Sequence, residues 1–203
     1  QYNYMDINNQ AGTEGLKYAA SKGLGVVIME PMLGGKLANP PQDVKEMMNA
    51  GRSEWSPSRW ALQWLWSQPE VSVVLSGMSN MEQVEDNLNS ARNYYEGSMC
   101  PEDMGVIERV RRRYEERTAI PCTSCRYCMP CPNHVDIPRN FSLYNDSVVH
   151  EDLAGSQRSY RDFMDEKNRA GECIQCRICE DKCPQRILIS EWMPKVHEAL
   201  KWE

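Results

Sequence analysis

Apolar residues in the first 95 positions fall into two kinds of run. GVVIME (25–30) and VSVVLSG (71–77) are compact, β-branched and bounded by glycine or polar residues, which predicts buried strands. QYNYMD (1–6) starts the chain as a third, short strand. Elsewhere the spacing is helical. One helix is predicted over 12–23, ended by Gly23, and another over 41–51, ended by Gly51. In SPSRWALQWLWSQPE, Ser56 caps and Pro57 takes the first helical position. Trp60, Leu62, Trp64, Leu65 and Trp66 then give that helix a large buried face. A helix over 79–95 opens with Ser79 and carries Glu82 at capping-box spacing, and a further helix covers 101–118. Strands alternating with helices predict a parallel sheet covered by helices. After residue 119 the strand signal stops. Helical stretches follow at 137–146, 156–170 and 185–202. The expected division is 1–96, a helical linker at 97–120, and a helical region at 121–203.

Composition narrows the class. The 203 residues are 41% apolar and 26% charged, ordinary for a globular protein. A net charge of -6 gives no reason to expect nucleic acid or an anionic membrane as partner. No apolar run reaches the roughly 20 residues of a membrane span, and no secretory leader pattern is present. The chain opens on Gln1 in what reads as strand, so we expect it to be part of a longer protein.

Candidate chemistry enters with nine cysteines, eight of them in two clusters. CTSCRYCMPCP holds Cys122, Cys125, Cys128 and Cys131; CIQCRICEDKCP holds Cys173, Cys176, Cys179 and Cys183. Each fourth cysteine precedes a proline, Pro132 or Pro184. Two-residue gaps suit metal ligation better than disulfides among the same residues. Three such cysteines wrap one four-iron cubane, and in two-cluster ferredoxins the fourth ligates the other cluster. The expected sets are Cys122, Cys125, Cys128 and Cys183 for one cluster, and Cys173, Cys176, Cys179 and Cys131 for the second. The first motif has two residues before its last cysteine where the usual pattern has three, which leaves open that Cys131 joins the first cluster. Two zinc ions and disulfides are the competing readings. Cys100 stands apart as a plain thiol, and His134, just after the first cluster, reads as a surface or capping residue.

With QYN at the start, then GVVIMEPMLGGKL and VVLSGMSNMEQVEDNL, the first half resembles the last strands of an aldo/keto reductase barrel. Together with the two cysteine motifs, the whole resembles the aldo/keto reductases fused to a ferredoxin-type domain. The resemblance implies an α/β fold: the C-terminal portion of a (β/α)8 TIM barrel followed by a mostly helical two-cluster ferredoxin-like domain. It implies a nicotinamide site in which Gln1 meets the carboxamide and Met29, Glu30 and Pro31 lie beside the ring and pyrophosphate. Gly77, Ser79, Gln83, Asp86 and Asn87 would hold the adenosine end. No Lys or Arg lies between 77 and 90 to grip the 2′-phosphate of NADP. The family's catalytic Asp, Tyr, Lys and His come from earlier strands, and nothing in this chain matches them.

The expected function is an iron–sulfur oxidoreductase fragment, inactive alone. Its nicotinamide site, taking NAD(P)H in the intact protein, would be coupled to electron transfer through two 4Fe-4S clusters. The alternatives are a pure electron-transfer module with a non-catalytic barrel remnant, or a metal-stapled structural domain. Expected partners are a redox protein and the missing N-terminal half of the barrel, with no nucleic acid and no membrane. The expected location is the cytoplasm of an anaerobe.

Overall fold

The two β-branched runs lie side by side in the computed structural model, which describes residues 1–8 and 10–202. Strands β1 (Val27–Ile28) and β2 (Val73–Val74) are parallel, with Val27 opposite Val73 and Ile28 opposite Val74. Ser72 N–H donates to Val26 O at 2.9 Å and Leu75 N–H to Ile28 O at 3.0 Å. Side chains alternate between the faces. Ile28 is buried, while Val27, Met29, Val73 and Leu75 are exposed on the other side.

Residues 1–6 do not form the expected strand. Tyr2 N–H reaches Met29 O at 3.2 Å, but the segment then bends. The Asn3 side-chain oxygen accepts from Met5 N–H at 2.9 Å and Asp6 N–H at 3.0 Å. Such a local turn competes with ladder pairing. The chain is therefore a mostly helical α/β structure with a two-stranded parallel sheet, and the described residues close no barrel. Closure needs paired neighbours on both sides of every strand.

Two compact units divide the chain, Gln1–Arg113 and Tyr114–Glu203. The first holds α1 (Gly12–Ser21), α2 (Gln42–Gly51), α3 (Pro57–Trp66), α4 (Met81–Arg92) and most of α5 (Pro101–Glu116). Helix α3 forms as its sequence requires. Ser56 accepts from Arg59 N–H at 3.0 Å, Pro57 opens the helix, and Trp60, Leu62, Trp64 and Leu65 are buried. Buried Gln63 is satisfied, donating to Ser90 O at 2.9 Å and accepting from Ser98 Oγ at 2.7 Å. Helix α4 starts one residue later than expected. Asn80 is its cap, accepting from Gln83 N–H at 2.9 Å, and Gln83 reaches back to Ser79 N–H at 2.8 Å. The cap therefore falls at Asn80, and Gln83 reaches one residue beyond it, to Ser79, so the expected Ser79–Glu82 box does not form. In α5, buried Asp103 takes both arms of Arg52, at 2.8 and 2.7 Å, and accepts from Cys100 N–H at 2.9 Å.

The second unit contains α6 (Ile137–Val149), α7 (Leu153–Asp162) and α8 (Ile189–Leu200). The expected helix at 156–170 breaks up. α7 ends at Asp162, and short 3-10 turns follow at Glu166–Asn168 and Ala170–Glu172. α8 begins at Ile189 instead of 185 because Arg186, with φ 52°, is used in a turn closed by its N–H onto Cys183 O at 3.0 Å. The core joins Ile120, Val135, Phe141, Tyr160, Met193 and Val196 among others. Among the described residues no helix is long and apolar enough to cross a membrane.

Burial works to raise the Asp103 carboxyl, but the hydrogen bonds from Arg52 prevail and hold it below its usual range. A depressed carboxylate contributes stability above its ordinary pKa of 3.8 and loses it as pH falls through the lowered value. Asp103→Ala should cost about 2 kcal/mol at pH 7. In urea unfolding followed by tryptophan fluorescence, that gap should shrink as the pH is taken down toward 3.

Candidate functional sites

The second unit is a sequence repeat folded as a structural repeat. In each half, the second and fourth residues after the first cysteine take left-handed backbone. These are Ser124 (φ 54°) and Arg126 (φ 64°), and Gln175 (φ 55°) and Arg177 (φ 64°). Such angles are uncommon for non-glycine residues and cost of order 1 kcal/mol each. Left-handed turns of this kind form the anion-binding nests found at iron–sulfur sites. The Ser124 N–H points at the Cys122 sulfur and the Gln175 N–H at the Cys173 sulfur. Met129 N–H closes onto Arg126 O, and Glu180 N–H onto Arg177 O, both at 2.9 Å. Three residues past each fourth cysteine the chain turns left-handed again, at His134 (φ 64°) and Arg186 (φ 52°). Helix α6 starts six residues after Cys131, and α8 six residues after Cys183. His134 is thus an exposed turn residue.

Each motif is pinned just upstream by a side chain from a helix. Asn145 on α6 accepts from Ile120 N–H at 2.9 Å and donates to Ile120 O at 2.8 Å. Tyr160 on α7 accepts from Ala170 N–H at 3.0 Å and pairs with His197 Nδ1 at 2.9 Å. Gly171 is required between them, because a Cβ there would come within 2.7 Å of the His197 ring. Cys122, Cys128, Cys131, Cys173, Cys179 and Cys183 are partly buried against the core, while Cys125 and Cys176 are exposed.

The structure brings the thiols together across the halves. Cys122, Cys125, Cys128 and Cys183 line one cavity, walled by Ile137, Phe141, Ile187 and Ile189. Cys173 feels the charges of Cys131 and Cys176, and Cys179 that of Cys173. Burial raises Cys122 and Cys173, and lifts Cys128 to about 11 and Cys179 to about 12, with the neighbouring thiols adding to the effect. All nine cysteines are free thiols. Among the described residues no three His, Cys, Asp or Glu side chains converge on a single ion. Soft thiolate donors, an apolar wall and inward N–H groups fit an iron–sulfur cluster.

In the first unit, a cleft of about 640 Å³ opens beside the ends of β1 and β2. Met29, Glu30, Pro31, Gly77, Ser79, Gln83 and Asn87 line it, and among the described residues no Lys or Arg does. Glu30 is left-handed (φ 56°) directly before Pro31, a strained position of the kind that clusters at functional sites. Asn87 donates to Ser76 Oγ at 2.9 Å. Two expected residues lie elsewhere. Gln1 is exposed, accepting from Gln10 at 3.0 Å. Asp86 accepts from Ser56 Oγ at 2.7 Å and so ties α4 to the start of α3. Sequence reading missed Gly34, Gly35, Ser58 and Ser76, which also line the cleft. The glycine pair was the available signal, since both adopt positive φ in the turn that shapes the rim.

Comparison with known proteins agrees with this division. Residues 1–99 match the family model described as the aldo/keto reductase family, and residues 121–188 match that of the 4Fe-4S dicluster domain. Searches of curated proteins and of solved structures found no match. The chain thus carries an aldo/keto reductase region at 1–99 and a 4Fe-4S dicluster domain at 121–188, two parts that together support an iron–sulfur oxidoreductase.

Proposed function

We propose that this chain is the electron-wiring end of a nicotinamide oxidoreductase and carries two 4Fe-4S clusters. Cys122, Cys125, Cys128 and Cys183 hold one; Cys173, Cys176, Cys179 and Cys131 hold the other. The observation that carries the reading is the presence of Cys183, from the second motif, in the cavity of the first three cysteines. The influence of Cys131 on Cys173 is its counterpart. Such clusters move one electron at a time. The protein's own work is to fix the sulfurs, turn N–H groups toward them and keep water from the buried side. The exposed Cys125 and Cys176 mark where electrons pass to a partner redox protein.

The cleft beside β1 takes the dinucleotide, with Met29, Glu30 and Pro31 near the ring and Ser79, Gln83 and Asn87 at the far end. With no cation in the lining, an unphosphorylated ribose suits it better than a 2′-phosphate. A hydride carries two electrons, so a two-to-one carrier, flavin in class, is needed between the nucleotide and the clusters. The exposed Val27, Met29, Val73 and Leu75 face suits cover by further barrel strands, which would bring the catalytic tetrad this chain lacks. A second reading, an electron-transfer module keeping a non-catalytic barrel remnant, is favoured by strands of only two residues.

Paired cysteine substitutions test the cluster sets. Cys131→Ser with Cys173→Ser should leave about half the iron of the parent chain, since both serve one cluster. Cys131→Ser with Cys122→Ser should lose nearly all of it. If that second pair keeps as much iron as Cys122→Ser alone, Cys131 belongs with the first motif. For the cleft, titration followed by calorimetry should show NADH binding at least about 10-fold more tightly than NADPH, a difference of about 1.4 kcal/mol. No binding of either at millimolar concentration would favour the electron-transfer module.

A further inference from the structure

The two cysteine motifs differ by one residue, and that difference has a structural consequence. Between Cys128 and Cys131 lie only Met129 and Pro130; between Cys179 and Cys183 lie Glu180, Asp181 and Lys182. Helix α6 is capped by its own preceding residue, as Asp136 accepts from Arg139 N–H at 3.3 Å. Helix α8 has Leu188 at that position, which offers no side-chain acceptor. Its cap comes instead from the longer loop, where Glu180 Oε1 accepts from Ser190 N–H at 2.7 Å. A carboxylate is thereby held at a helix N-terminus, which favours its charged form, directly beside a cysteine of the second set.

The neighbourhood of the first set differs. The loop of its first three cysteines carries no acidic residue, and its cavity is lined mainly by apolar side chains, with the cationic Arg126 among them. Asp136, the first carboxylate after its motif, is paired with Arg126 at 3.5 Å, while the set's fourth cysteine, Cys183, ends the Glu180 loop and closes its N–H onto Glu180 O at 3.0 Å. The charge of Glu180 acts on both Cys173 and Cys179. Arg177 sits on the same loop and offsets part of that charge. A fixed negative charge near a cluster opposes the arrival of an electron, and the opposition grows as solvent is excluded.

We propose that Glu180 is a positioning residue that caps α8 and, by the same placement, makes the cluster of Cys131, Cys173, Cys176 and Cys179 the harder of the two to reduce. An electron shared between the clusters then rests on the one held by Cys122, Cys125, Cys128 and Cys183. The extra residue of the second motif sets this direction. The proposal rests on the two-cluster reading above.

Glu180→Gln separates charge from cap, since the amide oxygen still accepts from Ser190 N–H. The full chain, anaerobic and loaded with iron and sulfide, is titrated redox-potentiometrically and followed by electron paramagnetic resonance. One of the two reduction steps should move to a more positive potential. The expected rise is about tenfold in its reduced-to-oxidised ratio at a fixed poise, 59 mV for one electron. The other step should stay in place, the melting temperature should hold, and the step that moves should be the one that Cys173→Ser abolishes. Asp181→Asn, which removes an exposed charge one residue away, should move neither step by as much. The proposal is overturned if Glu180→Gln leaves both steps unmoved. It is overturned equally if the step lost in Cys122→Ser is the one that moves, or if Asp181→Asn matches the effect. Parent chain that binds no iron would defeat the cluster reading itself, a distinct result.

Discussion

Four thiolates brought to one point repel one another, and they stay together only if bound cations and aligned N–H dipoles offset that repulsion. The second unit is arranged around this constraint. Left-handed residues at Ser124, Arg126, Gln175 and Arg177 bend the backbone, and the Ser124 and Gln175 N–H groups face the Cys122 and Cys173 sulfurs. Asn145 and Tyr160 pin the segments that feed the two loops. Helices α6 and α8, each starting six residues past a fourth cysteine, supply the apolar wall.

In the proposed arrangement, exchange of the fourth cysteine makes the repeat necessary. A single motif supplies three close ligands and sends its fourth away, so one half alone leaves a cluster incomplete. Interleaving the halves would complete both proposed sites and tie together segments about 50 residues apart, which a pair of independent knuckles would not do. The first unit is organised differently. Its parallel strands end at a cleft, and its strength comes from α3, where tryptophans and a satisfied Gln63 lock the helices around one buried stripe.

The cysteine motifs were legible because iron–sulfur ligation fixes both residue type and spacing. Ser56-Pro57 was legible for a similar reason, as cap and first turn lie within four residues. Features that depend on distant partners were not. The six opening residues have strand composition, yet Asn3 folds the backbone onto itself and only Tyr2 keeps a ladder bond. Asp86 has the right place in the motif for a nucleotide contact, but Ser56, 30 residues upstream, takes its carboxylate. Glu180 caps a helix ten residues on, a partnership no local pattern announces. Ser79 and Asn80 are both good caps, and the choice between them is made by how Gln83 folds back.

Iron and acid-labile sulfide counted on anaerobically prepared chain, with its visible spectrum, test the central claim most directly. Two interleaved cubanes require about eight iron and eight sulfide per chain. They also require a broad band near about 400 nm that bleaches on reduction with dithionite. Two zinc ions per chain in a colourless protein would contradict it.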